Sequence, residues 1–173
     1  TDVNNPYLSY DSSSRFGDLQ MRNIISGTSI TNPIYNAMGE TSSASYEIDL
    51  VHRLGESRFA AGFDSKIEYY FFDRENNPKT DRGSARYYTS FYPNLKYEIS
   101  DKLNVNTSLA VQFYNPRALK GRYNMQNRTQ NLRVGMGYSY RRDVYFSPFL
   151  TLYPNNIKAS NTTFSLAATF SVL

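Results

Sequence analysis

Residues Arg58 to Phe72 read RFAAGFDSKIEYYFF, and the two-residue beat of this stretch decides the fold. Phe59, Ala61, Phe63, Ile67, Tyr69 and Phe71 fall on one face, while Arg58, Asp64, Lys66 and Glu68 fall on the other. A strand sends successive side chains to opposite faces, so this segment has one greasy surface and one charged surface. The period is too short for a helix, whose apolar stripe recurs every three or four residues.

Working outward, the same beat recurs along the chain. Ala44 to Leu54 sets Tyr46, Ile48, Leu50 and Leu54 against Glu47, Asp49 and Arg53. Ala85 to Ile99 sets Tyr87, Phe91, Leu95, Tyr97 and Ile99 against Arg86, Tyr88, Asn94, Lys96 and Glu98. Pro93 lies inside that stretch and predicts a bulge or break in its ladder. Leu103 to Tyr114, Thr129 to Tyr140, Val144 to Tyr153 and Thr162 to Val172 alternate in the same way. An eighth strand, with the weakest alternation, is expected from Ser14 to Ile30, after a polar lead-in over residues 1–13.

The connections alternate in length. Gly55-Glu56-Ser57, Ser100-Asp101-Lys102 and Arg141-Arg142-Asp143 read as tight turns. Thr31 to Ser43, Asp73 to Ser84, Asn115 to Arg128 and Pro154 to Asn161 read as long polar loops. Short and long connections in alternation are the mark of an up-and-down β-barrel that crosses a membrane. The fold class expected is therefore all-β: an eight-stranded antiparallel up-and-down transmembrane β-barrel over residues 14–173, as a single domain.

Composition narrows the function. No run reaches the eighteen or so apolar residues of a membrane helix, but a spanning strand needs only about ten, half of them polar. Sixteen Tyr and eleven Phe with no Trp suit a membrane boundary in part, since interfacial girdles usually carry Trp as well as Tyr. There is no cysteine, hence no disulfide and no thiolate metal site. The net charge of +4 is small and interleaved, which leaves no nucleic-acid footprint.

Periodicity leaves two orientations open: apolar face inward, as in a soluble ligand-carrying barrel, or outward into lipid. The apolar face carries more bulky side chains than the interior of an eight-stranded barrel holds. The opposite face mixes Gly62, Gly135, Gly137, Ala60 and Ala110 with charges of both signs, as a narrow lumen requires. Its network is expected to comprise Glu47, Asp49, Arg53, Asp64, Lys66, Glu68, Arg86, Lys96, Glu98 and Arg133. Charges in a lumen are tolerated when paired and hydrogen-bonded, and near-equal numbers permit that. Both points favour lipid on the apolar face.

On these features the chain resembles the small eight-stranded outer-membrane barrels of the OmpA and OmpX type. The resemblance is one of architecture, over about Ser14 to Leu173, with no family-specific motif. It implies a monomer in the bacterial outer membrane, in contact with its lipid, with a structural or surface-interaction role and a largely self-plugged lumen. A low-conductance, porin-like channel for ions or small solutes is the alternative. The long loops would then meet an extracellular partner. Arg117, Lys120, Arg122 and Arg128 would offer a basic contact surface to acidic lipopolysaccharide.

Catalytic chemistry finds little support. His52, the one histidine, falls on the apolar face, where a triad would also need a nucleophile and a carboxylate. Ser57 is near it in sequence only. No phosphate-cradling glycine loop, paired catalytic carboxylates or metal-ligand spacing occurs, so neither an enzyme nor a cofactor is expected.

Overall fold

The computed structural model describes residues 5–119, 123–141 and 143–170. Nine strands form one antiparallel sheet in chain order: β1 (Tyr7–Phe16), β2 (Leu19–Ser29), β3 (Glu40–Arg53), β4 (Phe59–Phe72), β5 (Ala85–Glu98), β6 (Leu103–Pro116), β7 (Gln126–Arg141), β8 (Val144–Leu152) and β9 (Thr163–Phe170). A five-residue helix, α1 (Pro33–Ala37), interrupts the connection from β2 to β3. The antiparallel up-and-down order is as the sequence implied. The strand count and the closure are not.

The ninth strand comes from the region read as lead-in and first strand. Gly17, at φ +60°, occupies the first central position of a two-residue turn and closes a hairpin in which Phe16 faces Leu19. Glycine there is what a type II′ hairpin turn demands. A two-residue turn also reverses parity: even-numbered positions such as Tyr10 and Phe16 point outward before it, odd-numbered ones such as Leu19 and Ile25 after it. Read as one strand, Ser14 to Ile30 therefore loses its beat. The weak alternation was a turn.

No ladder joins β1 to β9, so among the described residues the sheet is open, not an eight-stranded closed barrel. With an odd number of alternating strands, the two edges also run in the same direction. They cannot form an antiparallel ladder with each other. Val172, read on the last strand, lies outside the described residues.

Pro93 breaks the ladder without shifting it. Phe91 faces Val111 and Asn94 faces Ser108 in one register, with the pairs between them missing. Real shifts occur elsewhere: between Glu40 and Ser42, between Ala85 and Tyr87, at Gln112/Phe113 opposite Asn127 to Thr129, and between Ser139 and Arg141. Three of these four lie toward the long connections.

The distribution of burial is inverted relative to a water-soluble fold. Among the described residues the buried apolar side chains are Ile30, Ala85 and Ala110 alone, whereas Ile67, Phe71, Leu95, Met136, Phe164 and Phe170 are exposed. Buried polar residues on the opposite face include Ser43, Asn104, Asn131 and Thr151. Packing there is close. A Cβ on Gly137 would collide with the Tyr145 ring and the Asn104 amide, which lie against the β7 backbone there and would have to shift.

Candidate functional site

The polar face curls into a trough. Thr28 of β2 and Arg128 of β7 line the same cleft of about 500 Å³. Five neighbour spacings along a flat sheet would hold those strands about 24 Å apart. A shared cleft therefore requires the sheet to bend round its polar face.

The long connections form a crown over one end of this trough. Asn32 caps α1, its side chain accepting from Ile34 N–H at 3.0 Å, and Asn5 Oδ1 accepts from Thr31 N–H at 2.8 Å. The centre of the crown is Asp81, whose side chain is fully enclosed. Its two oxygens accept from Arg74 Nη1 and Nη2, both at 2.8 Å, from Asn77 N–H at 2.8 Å and from Thr80 Oγ1 at 2.8 Å. The Arg74 hydrogen bonds, then the Asn77 amide, hold this carboxyl well below the usual carboxylate range.

Arg117 completes the crown. It donates to Met38 O at 2.9 Å and Arg74 O at 2.8 Å, stands 3.6 Å from Asp81 and lies 3.6 Å from the Phe72 ring centroid. Read from sequence as part of an exposed contact surface, Arg117 is instead 6% exposed and ties three connections together. Its burial lowers the guanidinium's proton affinity, against the pull of Asp81. Arg86 plays a similar part, donating to Pro116 O at 3.0 Å, Arg117 O at 3.1 Å and Leu119 O at 3.2 Å rather than to a carboxylate.

The remaining expected lumen charges lie on the polar face; Asp49, Lys66, Glu68, Lys96 and Glu98 form partly exposed ion pairs, whereas Glu47, Arg53, Asp64 and Arg133 form none among the described residues. Lys66 is 3.5 Å from Glu68, and Lys96 is 3.0 Å from Glu98. Arg22 bridges Asp11 at 2.9 Å and Asp49 at 3.7 Å, a link in which the β1 residue Asp11 had no expected role. Glu47 stands opposite Lys66 across the ladder, and Asp64 accepts from Asn94 at 3.3 Å. Arg133 lies over the Phe149 ring at 5.5 Å, and Arg53 contributes to the field at Glu98. With side-chain exposures of 24–51%, the three ion pairs formed by Arg22 with Asp49, Lys66 with Glu68 and Lys96 with Glu98 are wetted rather than sealed.

Two bulges re-aim charged residues into the cleft. The extra residue at Thr41 places Glu40 opposite Phe72, on the polar side of the sheet, and Glu40 is buried along the cleft wall. The extra residue at Arg128 lets that guanidinium reach the Tyr88 ring, 4.8 Å from its centroid. Tyr88 in turn stacks edge-on with Tyr70 at 5.7 Å and more nearly parallel with Tyr114 at 6.1 Å. Bulges recur beside functional sites because one extra residue redirects a side chain. The alternation set Tyr88 on the polar face but did not single out Glu40, Tyr70 or Tyr114, and it has no signal for a bulge.

Arg128 thus belongs to β7 and the cleft rather than to a free loop. Lys120 and Arg122 lie outside the described residues. His52 is exposed on the outward face, opposite Leu19 and Ala61. Ser57 serves the turn: its N–H donates to Leu54 O at 3.1 Å and its hydroxyl accepts from Phe59 N–H at 3.3 Å. Among the described residues no three His, Cys, Asp or Glu side chains are grouped to hold a metal.

No protein-family model matches this chain, and no curated protein is significantly similar to it.

Proposed function

We propose that this sheet is a wall of a bacterial outer-membrane β-barrel, with lipid against its apolar face and a polar lumen on the other. Its role is structural and interactive: the wall carries a rigid crown of connections facing outward from the membrane. One observation carries the reading. The three buried apolar side chains among the described residues are too few to hold the sheet together in water, while a band of Phe, Tyr, Leu and Ile lies exposed. Burial of that band in hydrocarbon supplies the missing driving force. A soluble carrier would need the same band inside.

In hydrocarbon an unpaired strand edge leaves several kilocalories of unsatisfied backbone per group, so β1 and β9 must be covered. Because both edges run the same way, antiparallel cover takes an odd number of further strands, whatever supplies them. A second reading, a narrow passage for small solutes, draws on the wetted ion pairs and the cleft of about 500 Å³.

The test exploits the absence of tryptophan, which leaves single Trp probes free of background. Phe63→Trp and Leu109→Trp should be quenched by brominated lipid, and Gln112→Trp by aqueous iodide. The opposite pattern would turn the sheet inside out and end the proposal. Planar-bilayer conductance that changes in Lys66→Ala would favour the passage over the closed wall.

A further inference from the structure

We propose that the cleft under the crown takes an acidic sugar of the hexuronate class, its carboxylate held by the Arg128 guanidinium. The cations of crown and cleft divide by commitment. Arg74, Arg86 and Arg117 donate to backbone carbonyls or to Asp81, and Lys66 stands 3.5 Å from Glu68. Arg82 and Arg128 are different. Both are exposed, both line the cleft, and neither guanidinium makes a hydrogen bond or ion pair among the described residues.

Arg128 is also held in one pose. Its guanidinium lies over the Tyr88 ring, 4.8 Å from the centroid, and Tyr88 is braced by Tyr70 edge-on at 5.7 Å and by Tyr114 at 6.1 Å. A guanidinium resting on a ring keeps its in-plane N–H groups available, and that planar fork matches a carboxylate. Arg128, Tyr88 and Gly83 line both this cleft and a smaller hollow of about 290 Å³, so the arginine stands between two cavities. The acids of the cleft leave it open to an anion. Glu68 accepts from Ser43 Oγ at 3.0 Å and pairs with Lys66, and Glu40 is buried in the wall whereas Arg128 is exposed.

The rest of the lining selects the body of the ligand. Thr28, Ser43, Ser90, Tyr92 and Gln112 present hydroxyls and an amide, and about 500 Å³ lies within the size range of small-molecule sites. An apolar acid would leave those polar groups without partners, and an uncharged sugar would make no use of Arg128. The site stands on groups of the polar face alone, so it goes beyond the membrane reading and does not depend on what wets the other side.

Titration calorimetry on the folded full chain tests this with three ring compounds: D-glucuronate, D-glucose and cyclohexanecarboxylate. Glucuronate should bind saturably. Glucose, which lacks the charge, and cyclohexanecarboxylate, which lacks the hydroxyls, should each bind at least about ten-fold more weakly. Arg128→Ala should weaken glucuronate at least about ten-fold, to the level of glucose, and leave glucose unchanged. The comparison of the three compounds on the wild type decides the matter even if that variant fails to fold. No saturable glucuronate binding, an equal affinity for either of the other two compounds, or glucuronate binding indifferent to Arg128→Ala would each overturn the assignment.

Discussion

The crown and the wall beneath it use the same residue types in opposite ways. In the crown, Asp81, Arg74 and Arg117 are knit through short hydrogen bonds, with Asp81 and Arg117 closed off from water. In the wall, Lys66–Glu68 and Lys96–Glu98 are single contacts between half-exposed side chains. The difference teaches where charge is structural. A buried, fully hydrogen-bonded ion holds several chain segments in one arrangement, whereas a wetted pair leaves the ladder to do so. The same division holds for the backbone, which is bulged toward the crown and almost regular along the wall.

The sharpest way to break this comparison is Arg117→Ala. It strands Met38 O and Arg74 O and leaves Asp81 with one cation instead of two. Removing one member of a buried ionic network typically costs about 3–5 kcal/mol. The loss should appear as protease nicking between residues 73 and 84 under conditions where the wild type resists, while the strands keep their circular dichroism. A crown indifferent to this change would show that the connections are held by something other than its ions.

Next in size is a charge on the outer face of the wall. Leu109 lies halfway along β6 on the apolar side, opposite Leu132. If the apolar face meets lipid as proposed, Leu109→Arg should cost about 2–4 kcal/mol in a bilayer, the penalty for a guanidinium near the midplane of a barrel exterior. Gln112→Arg, on the polar side, should cost well under that, since the new side chain can still donate to Tyr92 OH, now 2.6 Å away. Urea-induced unfolding from lipid vesicles measures both. Equal penalties would remove the distinction between the two faces.

How much of this was legible in the sequence depends on what each feature obeys. The seven strands from Ala44 onward follow strict alternation, and alternation is a local property of the backbone, so their existence and facing were readable from residues such as Phe63 and Lys66. The β1–β2 hairpin was not, because a two-residue turn at Gly17 shifts parity and disguises two short strands as one poor one. Closure was expected from the alternation of short and long connections, and this hairpin makes the count nine and leaves the sheet open among the described residues. For the site, the polar face was legible but its organisation was not. Arg117 sits in a basic run that reads as solvated, yet its burial depends on Met38, Arg74 and Asp81 arriving from two distant connections. Glu40 owes its position to a bulge, which alternation cannot register.

A smaller effect separates packing from charge within the wall. Gly137→Ala would force Tyr145 and Asn104 to move, an overpacking cost of about 1–3 kcal/mol. The contact nearest to the new methyl group is the Tyr145 hydroxyl, so Tyr145→Phe should restore a measurable part of the loss. A double-mutant cycle read by thermal unfolding isolates that coupling. Additive losses would mean that the glycine serves the backbone instead of the tyrosine.

The weakest expected effect is also the most discriminating for the contrast between crown and wall. Lys96 and Glu98 lie two residues apart on one strand and one face, 3.0 Å from each other and 43% and 40% exposed. Such a pair gains little Coulomb energy in wet surroundings and is screened by salt, so Lys96→Ala should cost less than about 1 kcal/mol. The cost should shrink further between 0.05 and 0.5 M salt, as measured by the unfolding midpoint. Arg117→Ala should show no comparable salt dependence, because Asp81 and Arg117 are shielded from mobile ions. If the two variants responded to salt alike, enclosure would not be what makes the crown's charges structural, and the hydrogen-bond count alone would have to explain it.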